Sequence, residues 1–116
     1  AEPEPGLASR LAFEVKALTV VGLRPALVRC AACGRALGDP CVFSNAAGGG
    51  VHAGCGHGHP VGAADLALVE ALLYTRLDET AGRAAPAALA PVLAGFLEHQ
   101  VGRALRAREL LAEEGR

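Results

Sequence analysis

Two tetrapeptides, Cys30-Ala31-Ala32-Cys33 and His52-Ala53-Gly54-Cys55, carry the side chains of this sequence best suited to chemistry, and a glycine follows each at once. Each presents two soft donors from a single tight turn. Two such hooks, separated by residues 34 to 51, have the spacing of a tetrahedral zinc site. Thiolate sulfur and neutral imidazole nitrogen match a borderline-soft d10 ion that imposes little geometric preference of its own. Gly34 and Gly56 fit this reading, because a residue without a Cβ can take up positive φ behind the second ligand at little cost.

Other uses of four cysteines fit less well. A disulfide framework is favoured mainly in small secreted chains, and the sequence shows no signal peptide or long apolar segment. A redox Cys-x-x-Cys belongs near a βαβ pattern, and none surrounds Cys30. The expectation is therefore one structural zinc ion on Cys30, Cys33, His52 and Cys55. The fourth position stays open, with Cys41 as the alternative ligand. His52 is preferred because it forms a second hook with Cys55, whereas Cys41 stands alone after Pro40 at the start of the β-prone run Cys41-Val42-Phe43. His57 and His59, in Gly-His-Gly-His-Pro, read as solvated loop residues.

The elements that must position these hooks are mostly helical. With 116 residues the chain is expected to form one domain, 1–116, large enough to bury a core without the metal. Residues 28–60, rich in Gly, Pro, Cys and His, form a metal-binding insert within it. Before the insert, Leu7, Leu11, Val15 and Leu18 make one apolar helical face that Gly22 and Pro25 bring to an end. Inside it, Val42-Phe43-Ser44 and Gly50-Val51-His52 can pair as a short hairpin across 45–49. After Pro60, Leu66, Val69, Leu73 and Leu77 share a second stripe, with Asp65 near the helix N-terminus where the dipole favours negative charge. Gly82 and Pro86 mark a break. A last helix starts near Pro86 or Pro91 and runs to about Leu111, with Leu89, Leu93, Leu97, Val101 and Ala104 facing the core. The fold class is thus mainly α, a small helical bundle with an inserted zinc-knuckle loop and a short β-hairpin.

Composition narrows the function. A net charge of −1 means that the chain as a whole is no electrostatic nucleic-acid binder, so any such contact needs a local patch. One patch is visible. His99, Arg103 and Arg106 recur at i, i+4 and i+7 on the last helix, a basic stripe suited to phosphates or to an acidic partner peptide. Positive charge near a helix C-terminus is also favoured by the dipole alone. The sequence starts at Ala1 and contains no methionine, which suggests a fragment or a trimmed product, and Pro3 and Pro5 read as a linker.

The order of these features resembles one known family. Phe13-Glu14-Val15-Lys16-Ala17-Leu18, then Gly22-Leu23-Arg24-Pro25, then the first hook, Phe43-Ser44, Gly48-Gly49-Gly50, the second hook and the terminal Gly102-Arg103-Ala104-Leu105-Arg106-Ala107-Arg108 are similar to the C-terminal half of the bacterial DNA repair protein RecO family. The resemblance covers about residues 11 to 111. It implies a non-catalytic recombination mediator in the cytoplasm, with no membrane association, that binds single- and double-stranded DNA and anneals complementary strands. It also implies work with RecR to replace single-strand-binding protein by the recombinase RecA, and an OB-fold upstream of this sequence. Two positions depart from the family pattern: His52 stands where the third cysteine ligand is usual, and Ala107 where a serine is common.

Two other function classes compete with the mediator. A zinc hydrolase or deaminase needs an open coordination position and a nearby carboxylate, but no acidic residue occurs between Cys41 and Pro60. The deaminase pattern places a glutamate two residues after the histidine, and that position is Gly54. A stand-alone zinc-ribbon interaction module explains the hooks but not the long flanking helices.

Overall fold

A computed structural model describes residues 6–114. Three helices and a three-stranded antiparallel sheet make up the fold, with about half of the chain helical. Helix α1 (Leu7–Val20) buries Leu7, Leu11, Val15 and Leu18, the face expected from their spacing. It ends in a Schellman motif. Gly22 adopts φ 81°, the Leu23 N–H donates to Leu18 O at 2.7 Å and the Gly22 N–H to Thr19 O at 3.1 Å.

Helix α2 (Ala63–Leu73) packs on α1 through Leu66, Val69 and Leu72. Both of its ends are closed by distant side chains. Asp39 Oδ1 accepts from the Ala63 N–H at 2.9 Å, placing a carboxylate at the positive end of the helix dipole. Lys16 Nζ donates to Leu73 O at 2.8 Å, an ammonium at the negative end. The helix stops there, so Leu77, expected on its stripe, lies exposed in a separate 3-10 turn (Leu77–Glu79). Arg24 forms an ion pair with Glu70 and lies over the Tyr74 ring at 5.7 Å.

Helix α3 (Leu89–Glu114) differs in register from the sequence expectation. Its buried residues are Leu89, Leu93, Phe96 and Gln100, whereas Leu97 and Val101 are exposed. The cause is tertiary. Apolar residues occur on two adjacent sectors of this alanine- and leucine-rich helix, and the body of the protein covers only one of them. From Val101 to Glu113 only Gly102 is even half-buried, so the second half of α3 projects beyond the core.

The insert holds more than a hairpin. Strand β1 (Cys41–Ser44) pairs antiparallel with β2 (Gly49–His52), matching Phe43 to Gly50, and with β3 (His59–Val61), matching Phe43 to His59, in the order β2-β1-β3. The segment read as a loop around His59 is thus the third strand. Phe43 joins the sheet to the helices, its ring meeting Phe96 edge-on at 5.4 Å. The outer edge of β2 is covered by the chain that carries the first hook. Ala26 N–H donates to Gly48 O, Gly50 N–H to Ala26 O, and Ala31 N–H to Gly50 O. This close approach explains the glycine run: a Cβ at Gly49 would sit 2.3 Å from Ala26 N, and one at Gly50 would sit 2.7 Å from Leu37 Cδ1.

Candidate metal centre

Each hook is a turn held by the backbone. Gly34 N–H donates to Cys30 O at 2.9 Å with Gly34 at φ 78°, and Cys55 N–H donates to His52 O at 2.8 Å. Gly56 does not take up positive φ among the described residues. It is small because a Cβ there would approach Val51 Cγ2 at 3.2 Å. A bridge between Arg29 and Ala36, with Cys30 N–H donating to Arg35 O, closes the base of the first hook. Strand β2 delivers His52 beside it.

The donor atoms of Cys30, Cys33, His52 and Cys55 all lie within 4.8 Å of one another. A tetrahedral zinc ion bonding sulfur at about 2.3 Å would set its donors about 3.8 Å apart, so the cluster could hold a metal ion such as zinc after small adjustments. The imidazole is oriented for that role. Ala36 O, which can only accept, lies 3.1 Å from His52 Nε2, so this nitrogen carries the proton. In the neutral ring Nδ1 then keeps its lone pair, and it faces Cys33 Sγ at 3.4 Å and Cys55 Sγ at 4.0 Å.

The sulfurs have unequal surroundings. Cys30 is buried, while Cys33 and Cys55 are exposed. Burial pushes the Cys30 thiol up, yet hydrogen bonds from the backbone N–H groups of Cys33, His52 and Ala32, and one from the Cys33 side chain, bring it down to about 6. Cys55 is pushed up, first by desolvation and then by the hydrogen bonds and charge of Cys30 and Cys33. A divalent cation at the centre would relieve that crowding. Cys41, the alternative ligand, lies outside the cluster. It is packed in the apolar core, and its Sγ–H faces Asp39 Oδ1 at 3.7 Å and Val61 O at 3.5 Å. Burial and the Asp39 charge raise its pKa, which keeps it a neutral thiol.

The other residues singled out by sequence lie elsewhere. His99 is half-buried, and Arg103 and Arg106 are exposed, on one side of α3. His57 and His59, read as solvated loop residues, are exposed but line a cleft of 420 Å³ against the first turns of α3, together with Asn45, Pro91, Val92 and Gly95. Sequence gave no signal for this cleft, which joins three separate segments, or for the Ala36 carbonyl that orients His52. No helix among the described residues is long and apolar enough to cross a membrane.

The architecture is a helical body bearing a cluster of three cysteines and one histidine on a small sheet, and its sequence relatives give it a family. The family model described as recombination protein O C terminal matches residues 1–109. The DNA repair protein RecO of Anaeromyxobacter sp. (strain K) is 39% identical over 120 residues, covering 96% of this chain and 47% of that relative. The DNA repair protein RecO of Myxococcus xanthus (strain DK1622) is 35% identical over 117 residues, covering 97% and 47%. The chain belongs to the RecO family. It spans about half the length of the curated relatives it matches. No solved structure gives a significant match.

Proposed function

We propose that this chain is the C-terminal part of a non-catalytic recombination mediator in DNA repair, with one structural zinc ion on Cys30, Cys33, His52 and Cys55. The full protein binds single- and double-stranded DNA, anneals complementary strands, and acts in the cytoplasm with RecR to replace single-strand-binding protein by a recombinase. Membership of the RecO family is the observation that carries this reading. The donor cluster supports the metal assignment, because two backbone-fixed hooks bring together four donors, the number a structural zinc site takes. A closed site of this kind contributes folding energy to its surroundings and no reaction step.

His99, Arg103 and Arg106 are assigned to contact DNA or an acidic partner, which their shared face and the exposure of both arginines support. The full-length protein should contain one zinc per chain by elemental analysis and should accelerate annealing of complementary oligonucleotides. Absence of metal from protein purified under reducing conditions, with Cys30 and Cys33 forming a disulfide once the reductant is removed, would reject the zinc assignment. Absence of both annealing and RecR binding would reject the mediator.

A further inference from the structure

Helix α3 connects two features that lie apart in the sequence. Pro91 and Gly95 line the 420 Å³ cleft, and His99, Gly102 and Arg106 continue the same face at the spacings of a helical row. Arg103 flanks that row. The Arg106 guanidinium folds back toward the cleft: a Cβ on Gly102 would meet Arg106 Nη1 at 3.3 Å. The distance from Gly95 to Arg106 along the axis is about 16 Å, the reach of a few nucleotides. Glu109, three residues beyond Arg106 and on the same face, ends the basic run.

The cleft has a different chemistry from the stripe that leads to it. Its helix wall, Pro91, Val92 and Gly95, is apolar and flat where Gly95 has no side chain. Opposite stand the His57 and His59 imidazoles and the Asn45 amide, and no acidic residue lines it. Imidazole rings stack on nucleobases, and a carboxamide offers both a donor and an acceptor to a base edge. Cationic groups outside and a ring-lined recess without carboxylates inside are complementary to a polymer with a charged backbone and planar heterocycles.

We propose that this cleft receives an unstacked base of single-stranded nucleic acid whose phosphates run along His99, Arg103 and Arg106. The proposal rests on the DNA-binding reading above and assigns it a place. A duplex keeps its bases stacked and can use only the arginine stripe, so the cleft gives the chain a preference for single strands.

The test compares the full-length protein binding oligo(dT) and an abasic oligomer of the same length, by fluorescence anisotropy at low salt. Gly95→Leu fills the cleft without disturbing the helix, since a Cβ there meets nothing within 4 Å. It should reduce the preference for oligo(dT) over the abasic oligomer about tenfold, and His59→Ala should act in the same direction. Arg103→Ala with Arg106→Ala should weaken both ligands and make the salt dependence shallower by about 1.4 in log–log slope. Unchanged preference in both cleft variants, with weaker binding only in the double arginine variant, overturns the cleft assignment and leaves the DNA-binding reading standing. No binding of either oligomer overturns both. Cleft-dependent binding of poly-glutamate in place of oligo(dT) overturns the proposal in favour of an acidic protein chain.

Discussion

The helical body and the knuckle insert reach order by different means. In the body, Leu11, Val15, Leu66, Val69 and Leu93 are almost fully buried against one another, and packed side chains fix the geometry. Around the hooks few apolar groups are deeply buried, Cys30 and Val51 among them, and position is set by backbone hydrogen bonds that gather three sulfurs and an imidazole. The body is thus a product of side-chain volume. The insert is a product of backbone contact and of a clustered donor set, and Phe43 against Phe96 is the joint between the two.

Removing that joint should have the largest effect. Phe96→Ala leaves a cavity between sheet and helix and should cost about 3–5 kcal/mol, lowering the denaturant midpoint of the whole chain. Leu93→Ala, one turn earlier and wholly within the body, should cost about 2–5 kcal/mol with metal content unchanged when folded. If Leu93→Ala released metal as readily as Phe96→Ala, the two regions would not be separable.

Gly49→Ala should come next. Its Cβ would be forced against the Ala26 backbone at a φ of 142°, and a loss of about 1–3 kcal/mol should accompany poorer metal retention, read by chelator competition. Cys33→Ser should abolish stoichiometric zinc and disorder residues 28–60 while most of the far-UV helix signal survives. Complete loss of helicity would show that the body depends on ligation after all.

Glu14→Gln should give the smallest effect. Burial raises the Glu14 pKa against the opposing charge of Arg10, and Glu14 Oε2 has no hydrogen-bond partner. A raised native pKa means that the folded state holds its proton more tightly. Stability contributed by protonated Glu14 is present at low pH and is lost as pH rises through the raised value. The glutamine variant should therefore be about as stable as the parent in acid and slightly more stable at pH 7, a difference visible by thermal melts at the two pH values.

What could be read from sequence follows the same division. The paired donor side chains of each hook, the Gly22 stop of α1 and the β1–β2 hairpin depend on neighbours along the chain, and the structure clusters the four hook side chains, ends α1 at Gly22 and pairs β1 with β2. Strand β3 is not legible in sequence because His59-Pro60-Val61 has no strand signal of its own. It exists because β1 offers an open edge, and Pro60 is tolerated on an edge strand. The register of α3 departs from the sequence expectation for a related reason. Leu97 and Val101 are as apolar as Leu93 and Phe96, and only the extent of the body decides which are covered.

Helix α3 carries a further consequence for how the molecule responds. An isolated helix as short as residues 101–114 is marginal in water, because the first turn must be nucleated at a large entropic cost. Here that turn is already formed by Leu89 to Gln100 on the core, so the projecting half only propagates a helix begun elsewhere. Its order is borrowed, and it must fray from Glu114 inward. A partner that grips the projecting turns has to supply only small increments of helix per residue, and the amide exchange rates of those turns would report its arrival.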